Sequence, residues 1–479
     1  MGEIIESAIK NAEEKFILNN KIDVFELSAK EFLSKVPCYY DKSKNIYLYS
    51  KADKKWARAD QIGIINIAKN IFKQEGLNEN KVRSQFLNAI LDKARWDKPK
   101  DIPVSWIQFS DCFYDFKKKE RIPLDKKYFS QIKIPYNLGT STETPIIDKH
   151  ILSWVGKEQY KIFLQTCAYC MYRDYPFARF FIFYGTGSDG KSTAGSFISE
   201  IVGTENSCNI DLDLLNNNRF ESQKMFQKTL ASCGEVDYKL LRNTRKLKGV
   251  TGGKGDPITI EFKNKDPFSY VNFAKILWYA NGLPPTYDKT QGFFRRTTII
   301  KFKNKFKELV EPLGDIPDYE YENFCLKCME TLKDLLENGF DEKTLEQKER
   351  EYEELSNPIL KFVNEEIEDG TEDDFIPLGD LFEEYSSFAK KKAYRLFSYN
   401  DFSAGIKAED FELKKQRLYE KISGGYDYFK HPDIEYVEKD IRKKVIRGFR
   451  FKKDSLNLND GKLHFETTVS NIETQATIN

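Results

Sequence analysis

Residues 185–192 read Gly-Thr-Gly-Ser-Asp-Gly-Lys-Ser: a glycine, four residues, then Gly-Lys-Ser. An apolar run, Phe180-Phe181-Ile182-Phe183-Tyr184, precedes them, and a helix-forming run, Thr193-Ala194-Gly195-Ser196-Phe197-Ile198, follows. A glycine-rich loop between a buried strand and a helix is the context a phosphate-binding P-loop needs. Glycines let backbone N–H groups turn inward around a phosphate, and the helix N-terminus favours the same charge. Gly185, Thr186, Gly187, Ser188, Asp189, Gly190, Lys191, Ser192 and Thr193 are therefore the candidate nucleotide-binding residues. Lys191 would bridge the β- and γ-phosphates, and the Ser192 hydroxyl would ligate Mg2+. The motif implies a nucleoside triphosphate and does not say what its energy drives.

The chain has 479 residues, room for roughly two to four domains. With 40% hydrophobic and 32% charged residues it reads as globular and soluble. No run approaches the roughly 18 apolar residues of a membrane span, and the acidic N-terminus has no apolar signal core. The expected location is intracellular, with no membrane partner. Net charge is +1, from 76 basic and 75 acidic residues, which argues against a polycation wrapping DNA. Local basic patches are the remaining candidates for DNA contact.

Eight cysteines include two C-x-x-C pairs, Cys167/Cys170 and Cys325/Cys328, a spacing that suits zinc. Each pair falls in a helical pattern, where residues three apart share one face, so buried reduced thiols are the stronger reading. The three histidines, His150, His431 and His464, have no metal-like partner nearby in sequence. A histidine-based catalytic site is not expected.

Along the chain, residues 45–49 read as a short strand, and 61–73 and 80–94 as amphipathic helices. Residues 145–174 look helical and lead into the P-loop strand. Residues 180–310 alternate strand and helix, the pattern of a doubly wound sheet. Residues 317–366 are charged and helical, Gly370–Asp374 reads as a linker, and 376–453 suggest a small α+β domain. After Asp454 a polar tail is expected to be disordered.

An ATPase needs acidic residues at the end of a second buried strand beside the P-loop strand. Lys228–Asp237 fits: a small-residue strand ends in Glu235, with Asp237 two positions on. Glu235 would share Mg2+ with Ser192. A further strand, Ala274–Ala280, ends in Asn281, whose amide suits sensing a γ-phosphate or orienting water. Arg295 and Arg296 then offer two guanidiniums, which suit developing phosphate charge because they are always protonated. Between these lie two alternating strands, ITIEF and FSYVNF, joined by a turn carrying Lys263 and Lys265. A basic hairpin tip suits a nucleic-acid backbone; a solvated turn is the plainer alternative. Asp211 and Asp213 have metal-like spacing but lie inside the motor region and read as structural.

The order GTGSDGKST, GEVD, LKGVTGG, DPITIEFKNKDPF, AKILWYANGLPP and FFRRTTIIKF resembles the superfamily 3 helicases of phage, plasmid and poxvirus primase–helicase type. The resemblance implies a hexameric AAA+ motor that hydrolyses ATP with Mg2+ and moves three-prime to five-prime on single-stranded DNA. It implies a homo-hexamer acting on forked DNA in a host cell, with origin duplex DNA and host replication proteins as further partners. Lys191 and Ser192 match its Walker A residues, Glu235 its Walker B acid with Asp237 as a second acid, and Asn281 sensor 1. Arg295 and Arg296 match the arginine pair that contains the finger, and Lys263 and Lys265 fall on its DNA-tracking hairpin. The expected fold is an α/β AAA+ P-loop core with flanking domains. The boundaries expected are 1–150 (N-terminal α+β/helical domain), 151–315 (motor), 316–370 (helical connector), 371–455 (winged helix) and 456–479 (tail). Lys443, Lys444 and Arg447 in the wing are candidate DNA contacts. Asp189 stands where the family usually has Asn, placing a carboxylate near phosphate. Lys254-Gly255 interrupts the usual Gly-Gly-Asp, which makes Lys254 a candidate DNA contact in a lengthened loop. Residues 1–149 contain no histidine and no plausible D-x-D, so primase activity is not expected. An origin-binding initiator, and a P-loop ATPase that does not unwind, are the rival readings.

Overall fold

A run of five bulky apolar residues buries both faces most readily as a central strand of a parallel sheet. Phe180–Tyr184 does so: all five residues are buried in the computed structural model. The structure describes residues 24–41, 45–72, 80–94, 98–234, 244–263, 266–284, 286, 288, 290–307, 312–371, 374–392, 394, 396–409, 411–420, 426–427 and 441–452. The chain divides into two compact units, Met1–Glu349 and Arg350–Asn479.

The described part of the first unit opens with helix α1 (Val24–Lys35). A meander of β1 (Cys38–Tyr40), β2 (Ile46–Ser50) and β3 (Lys55–Ala59) follows, then helices α2 (Gln61–Phe72) and α3 (Asn80–Ala94). The strand and both helices expected here are present. Their apolar faces meet in a small core around Phe32, Ile64, Phe86 and Ile90. A second antiparallel sheet comprises β4 (Trp106–Gln108), β5 (Cys112–Asp115) and β6 (Glu120–Pro123). Helix α4 (Pro145–Cys170) starts on a proline, whose missing N–H costs nothing at a helix start, and kinks at Gly156, φ 73°. Beyond the kink, Ile162 through Cys170 are all buried.

After β7 (Phe180–Tyr184) come α5 (Lys191–Val202), β8 (Ser207–Ile210), α6 (Leu212–Asn217), β9 (Leu230–Cys233) and α7 (Arg245–Val250). The hairpin β10 (Ile258–Ile260) and β11 (Phe268–Tyr270) follows, then β12 (Lys275–Ala280), α8 (Gln291–Phe294) and β13 (Thr297–Lys301). Five of these strands form one parallel sheet in the order β8–β9–β12–β7–β13. Neighbours β12 and β7 send their outgoing connections opposite ways, to β13 and to β8. Such a switch point leaves a crevice at the C-terminal edge of an open parallel sheet.

Helix α9 (Asp318–Asn338) packs on α4 and buries Tyr321, Phe324, Cys325, Cys328, Met329, Leu332 and Leu335, a stripe of three- and four-residue steps. Cys167, Cys170, Cys325 and Cys328 are free and buried in these two helices, and burial pushes the Cys170 thiol up to about 12. One hydrophobic core runs from Ile107 to Leu335. The boundaries expected at 150/151 and 315/316 fall inside it: α4 crosses the first, and α9 completes the core beyond the second. Helix α10 (Leu345–Ser356) contains the division between the two units.

The second unit continues with α11 (Pro358–Glu366), β14 (Ile367–Asp369), β15 (Phe375–Pro377), α12 (Leu378–Lys392) and α13 (Tyr399–Ala408). Strands β16 (Lys414–Glu420), β17 (Ile441–Arg447) and β18 (Phe449–Phe451) follow. β17 pairs antiparallel with β15 and β16, and β18 with β14. Stacked Tyr385 and Phe402, 4.7 Å apart, anchor the core beneath. Gly370–Asp374, expected as a linker, lies within this unit. Gly370 N–H donates to the Gly448 carbonyl at 2.8 Å and Thr371 N–H to the Asp374 carboxylate at 2.7 Å. Strands on both sides pair with the same C-terminal segment, so the chain must turn there. The expected tail lies outside the described residues. Among the described residues, no helix is long and apolar enough to cross a membrane.

Candidate functional site

β7 delivers the loop to the crevice beside β12, and α5 begins at Lys191. Gly187 (φ 92°), Ser188 (φ 50°) and Gly190 (φ 83°) take left-handed backbone, which turns the loop back on itself. Gly190 is needed twice over, because a Cβ there would lie 2.9 Å from Trp154 Cδ1. Gly185 N–H donates to the Ala280 carbonyl at 3.1 Å, tying the loop to the end of β12. Asn281 follows Ala280 and lines the same cleft as Gly187–Thr193. Two motifs some ninety residues apart in sequence are thus brought together.

The cleft encloses about 630 Å³. Its far wall holds His150, Trp154, Phe306, Lys307 and Asp315. His150 and Asp315 are hydrogen-bonded at 2.8 Å, and the His150 and Trp154 rings are 5.6 Å apart. Lys305 Nζ donates to Thr186 Oγ1 at 2.7 Å and also to the Gly187 carbonyl. Phe306 N–H donates to the Ser188 carbonyl at 2.8 Å. Sequence reasoning missed all of these wall residues. Lone aromatics and a lone histidine carry no spacing signal, and only the packing of α4 and of the segment after β13 brings them to the loop.

Inside the loop, Lys191 and Asp189 form an ion pair, with side chains only 5% and 3% exposed. Nζ lies 2.8 Å from Oδ1 and 2.7 Å from Oδ2. Ser192, in the first turn of α5, is exposed and lines the cleft, and Thr193 follows it there.

The other expected residues lie elsewhere. Arg296 accepts a bond from Phe180 N–H at 2.8 Å through its carbonyl, so Arg295 and Arg296 flank the start of β7. The loop is at the other end of this five-residue strand, about 16 Å away. Arg295 is exposed, while Arg296 Nη1 donates to the Gly292 carbonyl at 2.6 Å. Burial, and then the neighbouring Arg295, hold the Arg296 guanidinium below its ordinary range.

Lys263 is exposed in the turn after β10. The Arg58 guanidinium lies 4.2 Å over the Phe262 ring, rooting the hairpin on β3. Lys254, on the short turn Gly253–Gly255, pairs with Asp174 at 2.9 Å. Lys443, Lys444 and Arg447 lie on β17 in the second unit, with Lys444 and Arg447 exposed. Asp211 caps α6 by accepting from Asp213 N–H and Leu214 N–H, at 2.8 and 2.9 Å, which is the structural role expected. Glu235, Asp237 and Lys265 lie outside the described residues.

Two family models match parts of this chain. Residues 183–296, from the P-loop strand to the arginine pair, match a family of unknown function, DUF5906. Residues 354–443, in the second unit, match a model described as poxvirus D5 protein-like. No curated protein matches. Among solved structures, apo forms of the NrS-1 C-terminal region align over 90% of this chain and 100% of that one, at 13% identity and a TM-score of 0.45. A second apo structure of the region aligns over 89% and 100%, at 14% identity and a TM-score of 0.45.

Proposed function

We propose that this chain is an ATP-dependent replicative DNA helicase of a virus or mobile element, a homo-hexameric ring moving three-prime to five-prime on single-stranded DNA. The observation that carries the ATP-binding half is the P-loop itself. Its left-handed turns and its buried Lys191 meet Asn281 at the switch point of a parallel sheet. This arrangement supports a polyphosphate held on backbone N–H groups, with Lys191 on the β- and γ-phosphates and Asn281 beside the attacking water. Ser192 and Glu235 are the residues proposed to hold Mg2+, and Glu235 and Asp237 to polarise water. An ion there would neutralise charge on the transferring phosphoryl group.

Support for the DNA half comes from exposed Lys263 on its rooted hairpin and from exposed basic residues on β17. The match to a poxvirus D5 protein-like model agrees with the sequence resemblance to the poxvirus branch of the helicases. In the second unit, helices α12 and α13 are followed by the antiparallel pair β16 and β17, an order that suits a winged-helix domain. Arg295 and Arg296, a strand-length from their own loop, are the residues proposed to complete a neighbour's ATP site in a ring. A second reading, an origin-binding initiator whose ATPase drives ring assembly, is favoured by exposed Arg442, Lys444 and Arg447. Lys191→Ala is expected to abolish ATP hydrolysis and strand displacement on a forked duplex. Near wild-type turnover would refute the P-loop assignment. Wild-type ATP hydrolysis with no strand displacement would leave the nucleotide site standing and remove the helicase reading.

A further inference from the structure

The phosphate-binding loop already contains an anion. Asp189 turns inward so that both carboxylate oxygens face Lys191 Nζ, at 2.8 and 2.7 Å. The same carboxylate accepts from Gly187 N–H at 3.1 Å and from Lys191 N–H at 3.4 Å. These donors, two backbone N–H groups and the lysine ammonium, are the ones a P-loop offers to a nucleotide's phosphates. The loop is built to admit the inward carboxylate: at Gly185 a Cβ would overlap the Asp189 side chain, so only glycine leaves the space. The left-handed residues on either side, Ser188 and Gly190, carry Asp189 towards the cleft interior. From outside, the bonds from Lys305 and from Phe306 N–H hold residues 186–188 in place. With both side chains buried, water does little to screen the pair.

We infer that Asp189 is a built-in occupant of the phosphate seat, exchanged for the nucleotide's phosphates on binding and returning when product leaves. The inference rests on the nucleotide-binding reading of the loop. Two anions cannot share these donors without strong repulsion, so a phosphate must displace the carboxylate from Lys191. Displacement weakens nucleotide binding, because charge-assisted bonds must break before new ones form. The returning carboxylate also gives Lys191 a counter-charge as ADP departs, which speeds release. An asparagine at this position could still accept the loop's N–H bonds but would hold the ammonium far less strongly.

The test is Asp189→Asn, with Asp189→Ala in reserve should the first variant fail to fold. Titration with a fluorescent ATP analogue, ADP and tripolyphosphate in Mg2+ gives the affinities, and a chase with unlabelled nucleotide gives dissociation rates. Removing the internal anion is expected to tighten binding of all three by about tenfold or more and to slow ADP release. The nucleotide-free variant should melt below wild type, because Lys191 is left buried without its counter-charge, and saturating ATP should close that gap. Tripolyphosphate showing the same gain as ATP ties the effect to the phosphate seat. Binding by the variant alone, with none by wild type, would support the inference in its strongest form. Equal or weaker binding by the variant, while wild type binds and Lys191→Ala does not, overturns the inference and leaves the nucleotide site intact. No binding by wild type or either variant overturns the nucleotide reading and this inference together.

Discussion

The two ends of the parallel sheet solve opposite charge problems. At the C-terminal edge of β7 and β12, backbone N–H groups and buried Lys191 converge on a cleft, and the anion that satisfies them from within is Asp189. At the N-terminal edge, three adjacent strands are each entered on a cation: Lys275 on β12, Arg179 before β7 and Arg296 before β13. Protein carbonyls and one carboxylate accept hydrogen bonds from these. Lys275 Nζ donates to the Tyr172, Asp174 and Phe273 carbonyls and lies 4.5 Å over the Tyr169 ring. Arg179 bonds the Arg295 carbonyl and Glu342. The contrast lies in the partners: one end has donors held by a side chain of the loop itself, the other donors held mostly by backbone carbonyls. Charged Arg295 stays exposed beside that committed set.

The largest expected effect tests whether the cation end also serves chemistry. Arg295→Ala with Arg296→Ala should lower ATP turnover about a thousandfold in steady-state assays, with nucleotide affinity much less affected. Mixing this double variant with Lys191→Ala subunits should restore part of the turnover if the arginines act across an interface. No recovery in rings shown to be mixed would confine the arginines to their own chain, where the strand length keeps them from the loop.

Lys275 gives a pH signature for the same end. Burial pushes its ammonium down to about 7 against an ordinary value of 10.5. Between those values the unfolded chain holds more protons than the folded one, so this residue's contribution to stability rises as pH rises, by at most about 1.4 kcal/mol per unit. Lys275→Met leaves three carbonyls without their donor and should cost about 2 kcal/mol in urea unfolding at pH 7. The gap between wild type and variant should widen from pH 7 towards 10. A constant gap would mean that the carbonyls and rings keep the lysine charged throughout.

At the C-terminal end of the sheet, a Cβ on Gly195 of α5 would overlap the Tyr279 hydroxyl on β12. Gly195→Ala should therefore push the P-loop helix off the sheet, costing about 1–3 kcal/mol by thermal unfolding and weakening ATP binding. Lost stability with intact affinity would show that the loop tolerates movement of its helix.

The smallest effect belongs to the hairpin. Lys263→Ala should reduce the ratio of DNA-stimulated to basal turnover and lower the salt dependence of single-strand binding by about one unit of slope. An unchanged slope would make the tip a solvated turn.

Much of this fold was legible because its signals are local. The continuous apolar run of β7 marks a strand buried on both faces, and the periodic runs of α2 and α3 fix their limits closely. The hairpin was less legible. Phe262 leaves the ladder to pack 5.5 Å from Phe226, and the Asn272 side chain bonds the Val250 and Ala274 carbonyls at 2.7 and 3.2 Å. Side-chain contacts from outside the hairpin shorten both strands below their alternating patterns. The domain boundaries were illegible for a related reason. A core running from Ile107 to Leu335 joins segments on both sides of 150 and of 315, a packing that no local stretch of sequence signals.

By itself, the sequence determined the glycine-rich loop, the strand before it and the helix after it, since one contiguous stretch carries every group that turn requires. It also determined that Asn281 ends a buried strand. Only the tertiary structure decided that β12 lies beside β7, that His150, Trp154 and Phe306 wall the cleft, and that the arginines stand at the far end of the sheet. It alone placed the Asp189 carboxylate on Lys191. Local conformation follows from backbone propensity and periodicity within a few residues, whereas strand order, cleft walls and side-chain pairing are set by packing between segments distant in sequence.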